Sequence, residues 1–535
     1  MRPWLSHYDP GVAHSLSYPN NCVHDLLMEQ AARNPDRIAV IYNELSVSYA
    51  TIDRQSQILA GNLTQLKIRP GDRVGICLLN SIEFVVAFFG ILKAGGVVAA
   101  LNPGLTTKEL DGQIAITGLE VVITDQNHLE KFVDTTGFTR LRELVVVGDQ
   151  PAKDMGGIIH DYSEFVTAEI PQVILPEIKP SDAAVLQFSG GTTGTPKAAL
   201  GSHQNLVANV TQFRNWLVNL EDGKETYLIT IPLYHVYGQV LGLLLGIAAG
   251  ATLVIVNNPR NVDEILEMLQ NYPISYFPAV PTIFSMIVNH PDVAAGKLSL
   301  KSIKACISGS APLGKVTQEK FEKYTGGYLV EGYGLSEAPT ATHCNPILGE
   351  KRSGSIGLPL PDVDCRVVDL ESHKETKMGD AGELLIYGPQ IMLGYHEQDL
   401  ETKLVLENGW LHTGDVVRMD AAGYFYVVGR IKDLIKVHGM QVWPSEVESV
   451  LGSFPGILEC AVAGVPDDRT GERVKVWIVA ANGATFELSD IQLHCREKLA
   501  EYKIPREMEL CEHLPRSSVG KILRRELLRN HLERK

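Results

Sequence analysis

Through roughly the first 430 positions, short runs rich in β-branched and other apolar residues alternate with stretches whose apolar positions recur every three to four residues. The runs at 73–79, 119–124, 144–147, 183–188, 226–231 and 252–256 predict buried strands, and those at 82–93 and 262–269 predict helices. Strands alternating with helices imply βαβ units and parallel sheets, with more than one sheet at this length. After Asp415 the pattern changes. A strand is expected at 424–428, a polar connector at Gly429-Arg430-Ile431-Lys432-Asp433, a helix at 445–453, strands near 458–465 and 473–479, and a helix near 489–500. A basic helix over 521–529 closes the chain. The fold class is therefore α/β: a large N-terminal domain of stacked βα sheets with a β-subdomain, residues 1–431, and a small mobile α+β domain, residues 432–535. The segment 240–256 carries no charge, but it is shorter than the roughly 20 residues of a spanning helix and glycines interrupt it. It reads as a buried helix followed by a core strand, with no transmembrane segment.

Length and charge sharpen this. A chain of 535 residues exceeds what one hydrophobic core supports, so at least two domains are expected. The net charge of −15 argues against nucleic acid as a partner, because phosphate backbones require a basic footprint. Residues 431–535 hold 16 basic and 16 acidic side chains, so the negative charge lies in the larger part. The eight cysteines are scattered without C-x-x-C pairs and read as reduced thiols. No secretory signal pattern stands at 1–10, and a cytoplasmic protein is expected. Nothing in the pattern selects between a monomer and a homodimer.

The candidate chemistry centres on Ser189-Gly190-Gly191-Thr192-Thr193-Gly194-Thr195-Pro196-Lys197, which follows the apolar run ending at Phe188. Glycines let backbone N–H groups approach an anion, hydroxyls add donors, and Lys197 places a point charge against a polyphosphate. The spacing is not that of a Walker loop, in which Ser or Thr follows the lysine. The loop resembles the signature of the adenylate-forming superfamily of acyl-CoA synthetases, luciferases and peptide-synthetase adenylation domains. The superfamily's other motifs occur in order across nearly the whole chain.

What the resemblance implies can be followed residue by residue. Pro232-Leu233-Tyr234-His235-Val236-Tyr237-Gly238 resembles the segment walling the acyl pocket, to which Gln239, Leu241, Gly309, Gly332 and Ala338 would also contribute. Ser308-Gly309-Ser310-Ala311-Pro312-Leu313 and Glu331-Gly332-Tyr333-Gly334-Leu335-Ser336-Glu337 resemble the two segments around the nucleotide. Tyr333 would stack on adenine, Ser336 would bond phosphate, and Glu337 with Thr192 would ligate Mg²⁺. Trp410-Leu411-His412-Thr413-Gly414-Asp415 resembles the motif whose aspartate takes both ribose hydroxyls. Arg430 resembles a second ribose and phosphate contact, and Lys432 falls at the hinge about which the small domain turns. Lys436-Val437-His438-Gly439-Met440-Gln441 resembles the face that arrives for thioester formation, Arg260 would meet a CoA phosphate, and Lys521 resembles the catalytic lysine near the end of the chain.

The implied reaction uses ATP, Mg²⁺ and coenzyme A. A carboxylate, already ionised near neutral pH, attacks ATP to give an acyl-adenylate and pyrophosphate, and a thiol then expels AMP. Catalysis falls to positioning and charge neutralisation by Lys521, Lys197, the loop amides and Mg²⁺ on Glu337. His235 and Lys436 belong to the catalytic set by the same resemblance. No enzyme nucleophile is expected, and no G-x-S-x-G elbow is found. Gly190, Ala198, Ser310, Ser336 and His438 depart from frequent family residues. Gly190 together with Tyr-Gly-Leu-Ser-Glu resembles medium- and long-chain fatty acyl ligases. The alternative is an adenylation enzyme that loads an acyl or amino-acid group onto a carrier protein. Amino-acid-loading enzymes of that kind usually place an aspartate near His235, and residues 231–239 contain no acidic residue.

Overall fold

A computed structural model describes residues 2–133, 141–148, 159–167, 169, 171–189, 197–481, 484–517 and 520–534. The chain separates into two compact units, one of residues 1–364 and 386–411, the other of residues 365–385 and 412–535.

The first unit holds two large sheets. In the nine-stranded sheet the order is Leu358–Pro359, Ala338–Cys344, Tyr328–Leu335, Ala305–Ser308, Tyr276–Ala279, Thr226–Ile229, Thr252–Ile255, Ile38–Tyr42 and Leu45–Ser48. Its centre is parallel and its two ends are antiparallel. The eight-stranded sheet runs Gly394–Tyr395, Lys197–Ser202, Ala183–Ser189, Val97–Ala100, Arg73–Cys77, Val121–Asp125, Glu143–Val147 and Ile159–Asp161. Parallel strands covered on both faces bury every residue, as Val97–Ala100 and Thr226–Ile229 do.

The helix Ile82–Lys93 touches strands of both sheets and buries all but one of its residues. Ser81 caps it by accepting the Phe84 N–H. Its one charge at depth, Lys93, is neutralised by Asp53 at 2.6 Å and bonded to Ser56 at 2.8 Å. The uncharged segment after Tyr237 forms a buried helix in two parts: a π-helical Gly238–Leu244, then an α-helical Leu245–Ala248. The core strand Thr252–Ile255 follows. A Cβ on Gly238 would lie 2.4 Å from the Pro232 carbonyl oxygen, so the tight entry to this helix admits only glycine. Among the described residues no helix is long and apolar enough to cross a membrane.

Most residues of a sheet of Asp364–Val368, Gly382–Tyr387 and Trp410–Met419, with Phe425–Arg430 paired to Trp410–Met419, belong to the second unit. A second sheet is ordered Met440–Val442, Ile435–Val437, Gly471–Ala480 and Ile457–Asp467, and Glu507–Leu510 runs parallel to Gly471–Ala480. Val447, Leu451, Ile491 and Cys495, from the helices Pro444–Leu451 and Leu488–Arg496, close over Val462, Val474 and Val476.

Two expectations change here. The closing helix is Arg524–Glu533, which leaves Lys521 outside it, because Ile522 forms an extended bridge with Arg516. In the connector, Gly429 and Arg430 belong to a strand, paired with Val416 and Asp415, so the irregular part shrinks to the single 3₁₀ turn Ile431–Asp433.

The eight cysteines are free. Burial raises the thiols of Cys22 and Cys495 to about 11 and of Cys77 and Cys460 to about 12, and pushes Cys306, Cys344 and Cys511 upward as well.

Candidate functional site

In the first unit the strands Ala183–Ser189 and Lys197–Ser202 form an antiparallel hairpin in which Ser189 stands opposite Lys197. Gly190, Gly191, Thr192, Thr193 and Gly194 lie outside the described residues. Lys197 opens the returning strand, forms an ion pair with Glu401, and sits over the Tyr395 ring, 5.1 Å from its centroid. Tyr395 donates from its hydroxyl to Oε1 of Glu337 at 2.8 Å. Lys197 and Glu337, placed in one site by the motifs, are therefore joined through Tyr395, which no motif flagged, and Lys197 is also held by Glu401, likewise unflagged. Tyr395 and Glu401 lie about 200 positions from Lys197, and only tertiary pairing reveals them.

Glu337 follows the strand Tyr328–Leu335, in which Leu329, Val330 and Glu331 are buried and Gly332, Tyr333 and Gly334 have intermediate exposure. Tyr333 meets His343 edge to face, with centroids 5.8 Å apart. Glu331 is 8% exposed and accepts the Leu313 N–H at 3.0 Å, which ties the Glu331–Glu337 motif to the Ser308–Leu313 segment. Within that segment Ser310 has φ +71°, left-handed backbone that a non-glycine residue rarely adopts. Ala311 and Pro312 follow it.

Burial raises the Glu331 carboxyl from 4.5 to about 8, and the Leu313 hydrogen bond opposes this only in part. From pH 4.5 to about 8 the folded chain thus keeps a proton that the unfolded chain has released, so stability falls as pH rises through that window. Glu331→Gln preserves an acceptor for Leu313 without the buried charge. The variant is expected to be more stable than the parent by about 2–4 kcal/mol at pH 8 and unchanged at pH 4. Urea unfolding at the two pH values checks this; equal gains at both would contradict the assignment.

Of the acyl-pocket residues, Tyr237 is fully buried and donates its hydroxyl to the Ile307 carbonyl at 2.7 Å. Gly309 lies against it: a Cβ added there would meet the ring at 3.0 Å. His235 is half-buried, and its Nδ1 accepts the Tyr237 N–H at 3.2 Å, which places the ring proton on Nε2. Gln239 accepts from Gln187 at 2.7 Å, and both amides are buried. Leu241 and Ala338 are buried, and Gly332 packs on Ile307. The structure groups Tyr237 with Gly309, but spends the Tyr237 hydroxyl on the backbone. Arg260 is exposed in a turn, its N–H bonded to Asn258 at 3.1 Å.

In the second unit Asp415 is 2% exposed and paired with Arg430 Nε at 2.8 Å, the two residues facing each other across the ladder. The backbone beside Asp415 is fixed by Glu383, which takes the Gly414 N–H at 3.1 Å and meets His412 at 3.1 Å. Lys432 lies on the exposed 3₁₀ turn. Lys436 and Gln441 are partners on a hairpin whose two-residue turn, His438 and Gly439, has φ of +52° and +77°, and all four are exposed. Lys521 is exposed on a tight loop: Ser517 N–H donates to its carbonyl at 2.8 Å, and its own N–H donates to Ser517 Oγ at 3.2 Å.

Cys22, His24 and His203 form a cluster of metal-ligand types with ligand atoms within 4.8 Å. However, the Cys22 thiol points at the Ile178 carbonyl, and His203 Nδ1 accepts the Val23 N–H at 3.1 Å. A metal on Nε2 would require a proton at Nδ1, where that N–H already points, so this is a hydrogen-bonded core cluster.

Residues 27–396 match the family described as AMP-binding enzyme, and residues 446–521 match the AMP-binding enzyme C-terminal domain. The chain is similar to the long-chain-fatty-acid–CoA ligase of Bacillus subtilis strain 168, with 35% identity over 100% of this chain and 99% of that one. It is 34% identical to the ligase of the same name from Escherichia coli O6:H1, over 98% and 97% of the two chains. The solved anthranilate CoA ligase AuaEII, in complex with anthranoyl-AMP, superposes with a TM-score of 0.87 at 26% identity, covering 97% and 98%.

Proposed function

Because the chain belongs to the AMP-binding enzyme family and is an ATP-dependent carboxylic acid:CoA ligase, we propose that its acid is a medium- or long-chain fatty acid. The observation that supports this reading is end-to-end similarity to two enzymes named long-chain-fatty-acid–CoA ligase, at 35% and 34% identity. Their names also favour CoA over a carrier protein as the acceptor.

In the proposed first half-reaction the acid's carboxylate attacks the α-phosphate of ATP and pyrophosphate leaves. Lys197, the loop amides and Lys521 neutralise charge that would otherwise repel the incoming anion. Glu331 and Tyr333 hold the base, and Asp415, oriented by Arg430, receives the ribose hydroxyls. Glu337 offers hard carboxylate oxygens, one of them already oriented by Tyr395, and with Thr192 it suits Mg²⁺, which when bound supplies further charge neutralisation on the phosphates. In the second half-reaction the CoA thiol attacks the acyl carbon and AMP departs, with Lys436, His438, Gly439, Gln441 and Arg260 on the CoA side. We assign the two steps to residues 1–431 with a mobile 432–535 turning at Lys432, in a cytoplasmic protein whose thiols stay reduced.

Acid-dependent ATP–pyrophosphate exchange and CoA-dependent AMP release test the reading on acetate, octanoate, palmitate, anthranilate and amino acids. Each buried CH₂ is worth about 0.8 kcal/mol, so kcat/KM is expected to rise about fourfold per carbon until the pocket is filled. A flat chain-length profile, or anthranilate as the best substrate, would reject the fatty acid.

A further inference from the structure

The strand Gly394–Tyr395 is only two residues long, yet it links the two charged ends of the nucleotide site. On one side it pairs antiparallel with Ala199 and Leu200, in the strand that begins at Lys197. On the other, the Met392 N–H just before it donates to the Glu337 carbonyl at 2.9 Å. Tyr395 is 8% exposed, and its backbone N–H is held by Thr402 Oγ1 at 2.8 Å, on the helix Asp399–Val405. Gly394 has φ +147°, and a Cβ there would meet Thr402 Cγ2 at 2.8 Å, so strand and helix are in close contact. That helix carries Glu401, the partner of Lys197. The tyrosine hydroxyl reaches Glu337 at 2.8 Å while its ring lies beneath the lysine.

We propose that Tyr395 and Glu401 are positioning residues for adenylate formation: the Tyr395 hydroxyl aims the Glu337 carboxylate, and Glu401 holds Lys197 until the phosphates of ATP take it over. The proposal rests on the reading of Lys197 and Glu337 as polyphosphate-site residues. Without nucleotide, a lysine at the mouth of a glycine-rich loop would sample many rotamers, and a carboxylate partner limits that sampling. When ATP arrives, the Glu401 carboxylate competes with phosphate for the same ammonium. Lys197 is 22% exposed and Glu401 43%, so the pair is partly screened and the competition is modest. The phenol acts differently, because a charge-assisted hydrogen bond has strict geometry and turns the carboxylate about its own bond.

The test uses the full chain and reads MgATP binding by calorimetry without acid, followed by pyrophosphate exchange. Glu401→Gln is expected to tighten MgATP about two- to fivefold, the range an exposed ion pair supports. Tyr395→Phe keeps the ring under Lys197 and is expected to weaken MgATP three- to tenfold and to raise the Mg²⁺ concentration for half-maximal binding. Tyr395→Leu, which also loses the ring, should be weaker still. Unchanged MgATP affinity in Glu401→Gln, or parent-like Mg²⁺ dependence in Tyr395→Phe, overturns the proposal. Absence of MgATP binding in the parent would instead reject the reading of the site itself.

Discussion

Lys521→Ala is expected to slow acid-dependent ATP–pyrophosphate exchange by about 10²–10³-fold, the usual loss when one preorganised donor to a developing charge is removed. The same variant should convert preformed acyl-adenylate and CoA to thioester within a factor of about three of the parent, since we assign that step to the hairpin carrying Lys436 and Gln441. The asymmetry follows from the chemistry. An ionised carboxylate needs no base, so the first barrier is repulsion between anions, and a single ammonium lowers it directly. The fold should not suffer. Lys521 is exposed, and its loop is closed by backbone bonds to Ser517 that do not involve its side chain. Rapid-quench measurement of each half-reaction, with thermal melting as the control, separates the outcomes. Equal losses in both half-reactions would contradict the assignment.

The second large effect is structural and sits inside the nucleotide motif. Gly334 pairs with Ala341, and the register between their strands shifts on both sides of it. A Cβ at Gly334 would lie 1.7 Å from the Thr340 carbonyl oxygen and 2.7 Å from the Ala341 Cα. These are backbone atoms, so no rotamer change relieves the clash and the two strands must part. Gly334→Ala is expected to cost about 3 kcal/mol, the upper part of the overpacking range, and to abolish measurable exchange by displacing Tyr333, Ser336 and Glu337 together. Gly112 is the control: its added Cβ meets nothing, and it lies inside the helix Thr107–Thr117, so Gly112→Ala should gain about 0.5–1 kcal/mol. Urea unfolding of both variants checks the pair. A Gly334→Ala chain as stable and active as the parent would show that the strands separate freely there.

What the chain's pattern made legible was whatever local chemistry dictates. Periodicity located the helix Ile82–Lys93 to the residue, because an apolar run with charges only at its ends, Glu83 and Lys93, leaves little choice. The mixed segment after Tyr237 was legible for a related reason: glycines split an uncharged run too short for a membrane. Local chemistry misled at Lys521, where basic residues continue smoothly into Arg524 but a backbone bridge between Ile522 and Arg516 holds the chain extended. It also misled at Gly429 and Arg430, whose polarity suggested a connector although cross-strand pairing with Val416 and Asp415 makes them strand. Among the proposed site residues, local signatures named Lys197 and Glu337 in the first unit and Asp415 and Arg430 in the second. Tyr395 and Glu401 left no such trace. A tyrosine after glycine and a glutamate on a seven-residue helix are ordinary in isolation, and their meaning comes from the register of one short strand against Ala199 and Leu200.

The raised thiols carry a consequence of their own. An acyl-adenylate is an acylating agent toward any nearby thiolate, and the enzyme that makes it also carries cysteines. A group with a pKa of about 11, such as Cys22 or Cys495, is ionised to roughly one part in several thousand near pH 7.5, and one of about 12, such as Cys77 or Cys460, to about a tenth of that. CoA, with an ordinary alkyl thiol, presents far more of the reactive form. Burial of these sulfurs therefore makes them poor competitors for the activated acyl group, and their acylation is suppressed by the same apolar packing that stabilises the fold.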